Sequence, residues 1–329
     1  MNMKPDGKSR SLTRYPGAIA AVILLASVMH AAEPAAQGQK EMEIEPGAMI
    51  GAPVFKVERK VWSYSVSSPY LNGKNEVEVL LPDTFEKTRK YRVLYVLPVE
   101  KGIGGHFGDG LQEMRKADVQ NRHSVICVTM AFDGTPWYGA HATDPKIRHE
   151  EHILRVVVPL VESRYPTLGT REGRLLLGFS KSGWGAFSLI LRNPDIFGYA
   201  CSWDAPLMVD WPGSWGIKEH FGTQENFEKY QVSKLFEKRA AFFKERPRLV
   251  LLGEFLFGPG GRLPDKRGHT VLAHERMTAL GIQHVYRDDL RVHHQWTTDR
   301  GVDQGWEKPA VEALMSIVAP GAPASPTPN

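Results

Sequence analysis

Between residues 61 and 80 hydrophobic and polar side chains alternate. Val61-Trp62-Ser63-Tyr64-Ser65-Val66 and Val77-Glu78-Val79-Leu80 both keep a period of two, and Pro69-Tyr70-Leu71-Asn72-Gly73 separates them with turn residues. This predicts antiparallel strands, as a hairpin or meander. The pattern then changes. Val93-Leu94-Tyr95-Val96-Leu97, Val125-Ile126-Cys127-Val128, Leu175-Leu176-Leu177 and Leu249-Val250-Leu251-Leu252 are short continuous apolar runs. Such runs suit strands buried on both faces of a parallel sheet. Helical patterns lie between them. Residues 150–164 place Ile153, Val156, Val157, Leu160 and Val161 on one face, and 183–192 and 270–280 also read as helices. Strands alternating with helices imply right-handed crossovers. The predicted class is α/β: a doubly wound, mostly parallel sheet with N-terminal antiparallel strands. Ligands then bind at the carboxyl ends of the strands.

The ends of the chain read differently. Lys4, Lys8, Arg10 and Arg14 form a basic start, residues 18–29 form an apolar run, and Ala31 and Ala32 offer a cleavage site. This predicts a signal peptide over residues 1–32 and a periplasmic or secreted location. The run falls short of the roughly 20 residues that span a bilayer as a helix. An uncleaved anchor is the alternative, and no other segment is apolar enough to cross a membrane. No twin-arginine pair is present, which points to general secretion. Residues 33–50 read as a linker, 51–318 as one domain, and the Pro/Ala-rich 319–329 as a disordered tail.

Composition adds little beyond exclusion. The 329 residues are 42% hydrophobic, enough for one large core, and the net charge is only +4. No basic stripe carries interleaved aromatics, so nucleic acid is excluded as a partner. Cys127 and Cys201 each lie inside an apolar stretch, which favours buried free thiols over a disulfide.

The chemistry concentrates at Leu175-Leu176-Leu177-Gly178-Phe179-Ser180-Lys181-Ser182-Gly183-Trp184-Gly185-Ala186. A buried strand runs into a serine, and a helix with small residues follows. This is the strand–turn–helix setting of a nucleophile elbow. The turn is so tight that the residues two before and two after the serine must be small. Here they are Gly178 and Ser182, which makes Ser180 the candidate nucleophile. A serine hydroxyl needs a base. Val285-Tyr286-Arg287 reads as the last strand, and His294 in Val292-His293-His294-Gln295-Trp296 is the preferred base, with His293 the alternative.

With these residues in view, the chain resembles the α/β-hydrolase esterases that include S-formylglutathione hydrolase (esterase D), feruloyl esterases, enterochelin esterases and mycolyltransferases. Tyr91–Leu97 looks like that family's third strand, and Val79-Leu80-Leu81-Pro82-Asp83 like the strand before it. Pro136-Trp137-Tyr138, Arg192-Asn193-Pro194-Asp195-Ile196-Phe197 and His294-Gln295-Trp296 are also similar. The resemblance covers roughly residues 55–315 and implies the nucleophile role of Ser180 and the base role of His294. Two departures matter. The family has His-Gly or Asp-Gly after its third strand, supplying one oxyanion N–H. This chain has Pro98-Val99-Glu100-Lys101-Gly102, so the N–H of Val99 or Glu100 is expected to serve beside that of Lys181. The family's acid follows its seventh strand. Here the choices are Asp204, which ends Tyr199-Ala200-Cys201-Ser202-Trp203, then Glu254, then Asp265. Asp204 is preferred because Ala205-Pro206 stops the strand there and leaves the carboxylate at the sheet edge.

Trp137, Tyr138, Trp203 and Trp211 are candidate substrate-binding residues, the last two in a stretch through Trp215 that reads as a cap, serving either as an aromatic wall or as a cap packed on itself. Gly102-Ile103-Gly104-Gly105-His106-Phe107-Gly108 lacks dinucleotide-loop spacing. His149-Glu150-Glu151-His152 lacks zincin spacing and reads as a solvated helix face. The expected function is an exported serine hydrolase that cleaves a small-molecule or carbohydrate-linked carboxylic ester. No metal or cofactor is implied. Acyl transfer to a sugar or lipid hydroxyl is the second reading. A non-catalytic binding module that keeps the fold is the third.

Overall fold

The alternating segment and the continuous apolar runs meet in one sheet. The computed structural model describes residues 42–253, 268–290, 294–296 and 307–318. The predicted signal segment, most of the linker, the tail, Glu254, Asp265 and His293 lie outside the described residues. The strands are β1 (Met49–Ile50), β2 (Val54–Lys56), β3 (Val61–Ser67), β4 (Asn75–Leu80), β5 (Arg92–Val96), β6 (Val125–Met130), β7 (Arg174–Phe179), β8 (Tyr199–Trp203), β9 (Leu249–Leu252) and β10 (His284–Arg287). Their order is β1-β3-β4-β6-β5-β7-β8-β9-β10, with β2 also paired to β3. Pairing is antiparallel from β1 and β2 through β4 to β6. It is parallel from β6 through β5 to β10. β5 has β6 on one side and β7 on the other, so the winding reverses there. The switch point puts the ligand crevice at the carboxyl ends of β5 and β7.

The continuous runs are buried on both faces, as their composition predicts. Val93, Tyr95, Ile126, Val128, Leu176, Leu249 and Leu251 face a core completed by Ala186, Phe187, Leu189 and Ile190 of the helix Lys181–Arg192. Leu94, Val96, Cys127, Leu175, Leu177, Val250 and Leu252 face the other core, beneath Leu111, Met114, Val311 and Leu314. Each fully buried aliphatic side chain contributes about 1.5–3 kcal/mol. Cys127 and Cys201 are both free and buried. Three strand spacings separate β6 from β8, about 14 Å, well beyond the reach of a disulfide.

Two readings are corrected here. The helical stretch from His149 to Arg164 winds as α over His149–His152, as a wider π turn over Ile153–Val157, and as α again over Val158–Arg164. Pro159 has no N–H to return to the Arg155 carbonyl. That carbonyl instead accepts the Glu45 N–H at 2.8 Å, and the Arg155 guanidinium pairs with the Glu45 carboxylate at 3.3 Å. Met42, Ile44 and Ala48 pack on the core, and β1 extends the sheet. From residue 42 onward the expected linker is therefore part of the domain. The second correction concerns His149, Glu150 and His152, which are buried and not a solvated face. Periodicity says which residues share a face, and both faces of this turn are packed. The Glu150 carboxylate accepts from Arg192 Nε at 2.9 Å and Asn193 Nδ2 at 2.7 Å, tying down the far end of the Lys181–Arg192 helix. Burial pushes the Glu150 carboxyl up, opposed by the Arg192 charge. Among the described residues no group of three or more His, Cys, Asp or Glu is placed to hold a metal ion. No helix among them is long and apolar enough to cross a membrane.

Candidate active site

Ser180 sits between the end of β7 and the start of the Lys181–Arg192 helix, with φ 53° and ψ −126°. That backbone region is sparsely populated and costs on the order of 1–3 kcal/mol. The surroundings impose it. Ser180 N–H donates to the Trp203 carbonyl at 3.1 Å, and the Ser180 carbonyl accepts from Trp184 N–H at 3.1 Å. The turn closes so tightly that a Cβ on Gly178 would lie 2.7 Å from the Gly183 nitrogen and nearer still to the Ser182 carbonyl. Ser182, where the nucleophile-elbow pattern G-x-S-x-G has glycine, does more than stay small. Its hydroxyl donates to the Phe179 carbonyl at 2.8 Å and accepts the Phe179 N–H at 2.9 Å. Side chain and backbone thus clamp the same turn.

The candidate acid and base both come from the same side of β7, Asp204 from the end of β8 and His294 from the chain after β10. His294 Nε2 lies 3.1 Å from Ser180 Oγ, and His294 Nδ1 lies 2.5 Å from Asp204 Oδ2. A carboxylate can only accept, so Nδ1 carries the proton and Nε2 presents its lone pair to the serine hydroxyl. The His294 and Asp204 side chains are only 11% and 6% exposed, so water competes little for this row. Asp204 follows β8 directly, at φ 47°, and its N–H donates to the Leu252 carbonyl at 3.1 Å. His294 is held through its neighbours. The Trp296 N–H donates to the Phe107 carbonyl at 2.7 Å. The Trp296 ring packs edge-on against Trp203, with centroids 4.7 Å apart. Gly110 makes room for it, since a Cβ there would meet the indole at 2.9 Å.

The turn after β5 supplies the candidate oxyanion donors. Lys181 N–H is among the first four of its helix, which have no intrahelical acceptor. Among the described residues, Val99 and Glu100 N–H groups have no backbone acceptor. The turn is pinned on two sides. Tyr138 hydroxyl donates to the Pro98 carbonyl, and Gly102 N–H donates to the Phe132 carbonyl at 2.9 Å. The Glu100 carboxylate is engaged by the Phe107 N–H at 3.1 Å. Burial pushes the Lys181 ammonium down, and the Glu100 charge offsets part of that.

Comparison with known proteins places this geometry. Residues 68–247, more than half the chain, match the Esterase family model, described as "Putative esterase". The chain belongs to the Esterase family. Esterase Rv1288 of Mycobacterium tuberculosis (strain ATCC 25618 / H37Rv) is 26% identical over 157 residues, covering 45% of this chain and 32% of that protein. The chain therefore spans about a third of the length of the curated relatives it matches. Among solved structures, the Staphylococcus aureus fluorophosphonate-binding serine hydrolase F superposes with a TM-score of 0.59 at 18% identity, covering 82% of this chain and 100% of that one. An S-formylglutathione hydrolase from Agrobacterium tumefaciens gives 0.57 at 15% identity, covering 75% and 92%. A ferulic acid esterase gives 0.54 at 19%, covering 82% and 98%. With the mixed sheet described above, these likenesses show the α/β-hydrolase fold.

Not every expected residue of this esterase-family chain reaches the site. Trp137, Tyr138 and Trp203 are fully buried. Trp203 belongs to β8 and stacks on Phe179, with centroids 5.8 Å apart. Trp137 Nε1 donates to the Trp215 carbonyl at 3.0 Å. Tyr138 braces the turn after β5 through Pro98 and presses so close to the helix after Ser180 that Gly185 has no room for a Cβ. These three are core and bracing residues, not an open aromatic wall. Trp211 is partly buried and packs against Phe227, with centroids 6.1 Å apart. Glu254 and His293, the alternative acid and base, lie outside the described residues. Phe107 was not expected. It stands edge-on to His294, with centroids 5.6 Å apart, yet in sequence it is one residue of a glycine-rich loop.

Proposed function

We propose that this chain is a serine hydrolase that cleaves carboxylic esters through an acyl-enzyme on Ser180. The observation that carries the reading is the continuous row from Ser180 Oγ through His294 to Asp204, at 3.1 and 2.5 Å. In the first half-reaction Ser180 Oγ bonds to the acyl carbon and gives its proton to His294 Nε2. The carbonyl π pair moves onto oxygen, where the N–H of Lys181 and that of Val99 or Glu100 hold the oxyanion. Asp204 steadies the imidazolium. Collapse breaks the acyl–alkoxy bond, and the alcohol leaves with the Nε2 proton. Water repeats the sequence, giving the acid and returning the proton to Ser180. The balance closes with ester and water alone. The substrate class is a small-molecule or carbohydrate-linked ester.

Hydrolysis of acetyl, feruloyl and longer acyl esters by wild-type protein, lost by several orders of magnitude in Ser180→Ala, is the expected result. Equal rates in the two proteins would contradict it. We also place the reaction outside the cytoplasm, supported by the basic, apolar and small-residue succession in residues 1–32. N-terminal sequencing of native protein should then return a start near Ala31 to Ala36. A start at Met1 or Met3 would contradict cleavage.

A further inference from the structure

We infer that Glu100 is a positioning residue that couples the oxyanion turn to the base, its carboxylate holding Phe107, which in turn holds the His294 segment. The inference rests on the serine-hydrolase reading above. Glu100 lies in the turn whose N–H groups are the candidate oxyanion donors. Its Oε2 accepts the Phe107 N–H at 3.1 Å. The carbonyl of the same residue accepts the Trp296 N–H at 2.7 Å, two residues from the base. The Phe107 ring meets His294 edge-on, at 89°, and lies 6.0 Å from Phe179 beside the nucleophile. One residue is therefore gripped by the turn after β5 through its nitrogen, holds the segment that carries His294 through its oxygen, and meets His294 itself through its ring.

The loop is shaped for this contact. Gly105 and Gly108 form an antiparallel bridge, with Gly108 N–H donating to the Gly105 carbonyl at 3.1 Å. A Cβ on Gly105 would lie 3.1 Å from Glu100 Cδ and nearer still to Oε2. Glycine there leaves the carboxylate its place. A carboxylate beside a forming oxyanion opposes it electrostatically unless occupied elsewhere. Here the Phe107 N–H engages it, and the Lys181 ammonium lies close enough to feel its charge.

The test measures kcat and KM on one activated ester, with melting temperatures, for Glu100→Gln, Glu100→Ala, Gly105→Ala and the double variant Gly105→Ala/Glu100→Ala. Glu100→Ala should lower kcat by about 10²-fold with KM little changed, as a misplaced catalytic geometry does. Glu100→Gln keeps an acceptor for Phe107 N–H and should stay within about tenfold of wild type. Gly105→Ala should act as Glu100→Ala does, and the double variant should be no slower than either, because all three break one contact. Glu100→Ala at the wild-type rate, Gln as slow as Ala, Gln faster than wild type, or additive losses in the double variant would each overturn the coupling. Ser180→Ala run alongside separates the two levels. If it is inactive while Glu100→Ala matches wild type, only the coupling fails. If it keeps the wild-type rate, the serine-hydrolase reading fails and this inference with it.

Discussion

Replacing Gly178 by alanine tests whether the elbow depends on backbone contact. The added Cβ would stand 2.7 Å from the Gly183 nitrogen and closer to the carbonyl carbon and oxygen of Ser182. All three neighbours are backbone, so no side chain can swing aside. Relief requires the start of the helix to move away from β7, and Ser180 moves with it. Overpacking of this kind costs about 1–3 kcal/mol, or more where backbone must shift. At about 2–4 °C per kcal/mol for a domain of this size, the melting temperature should fall by roughly 2–12 °C. A displacement of about 1 Å at the nucleophile should lower the rate by about 10²-fold. Gly134→Ala is the control, since a Cβ there meets nothing within 4 Å and its φ is not positive. It should leave both quantities near wild type. Esterase rates normalised to folded protein, with thermal melts of both variants, make the comparison. A Gly178→Ala protein that melts and turns over like Gly134→Ala would refute the steric argument.

Two further outcomes follow from the same geometry. Asp204→Asn should cut kcat by roughly 10⁴-fold with little change in melting temperature, because the amide favours the wrong His294 tautomer; an unchanged rate in single-turnover assays would remove Asp204 from the row. Burial holds the His152 and His220 imidazoles near 4, below their ordinary 6.5, so the unfolded chain binds protons in that window and the folded chain does not. Stability should be fully present above pH 6.5 and fall as pH drops toward 4, by on the order of 2–3 kcal/mol per unit for the pair. Denaturant unfolding between pH 7 and 5 checks this, and a flat profile would contradict it.

The parallel core was legible because Val93–Leu97 and Leu249–Leu252 are apolar without interruption, which only two-sided burial explains. The elbow was legible because its steric demand falls on sequence neighbours, Gly178 and Ser182. Residues 42–50 were not legible as part of the domain. Their Pro and Gly content looks like a linker, and the carbonyl they satisfy is left open by Pro159, more than a hundred residues away. Asp204 was legible as the end of an apolar strand stopped by Ala205-Pro206, and its reach to the serine follows from β8 lying beside β7; Glu254 and Asp265 lie outside the described residues. The aromatic residues misled because Trp137, Tyr138 and Trp203 have the same composition whether they line a cleft or fill a core. Phe107 carries no local signal, because its role depends on a carboxylate seven residues earlier and an N–H near the other end of the chain.

The central claim is that Ser180 is the nucleophile. Incubation with a fluorophosphonate, followed by intact-mass and peptide mapping, tests it most directly. The account predicts one covalent adduct per chain, on Ser180 Oγ, and none in Ser180→Ala. An adduct on another residue, or ester hydrolysis that continues in protein that takes no label, would contradict it.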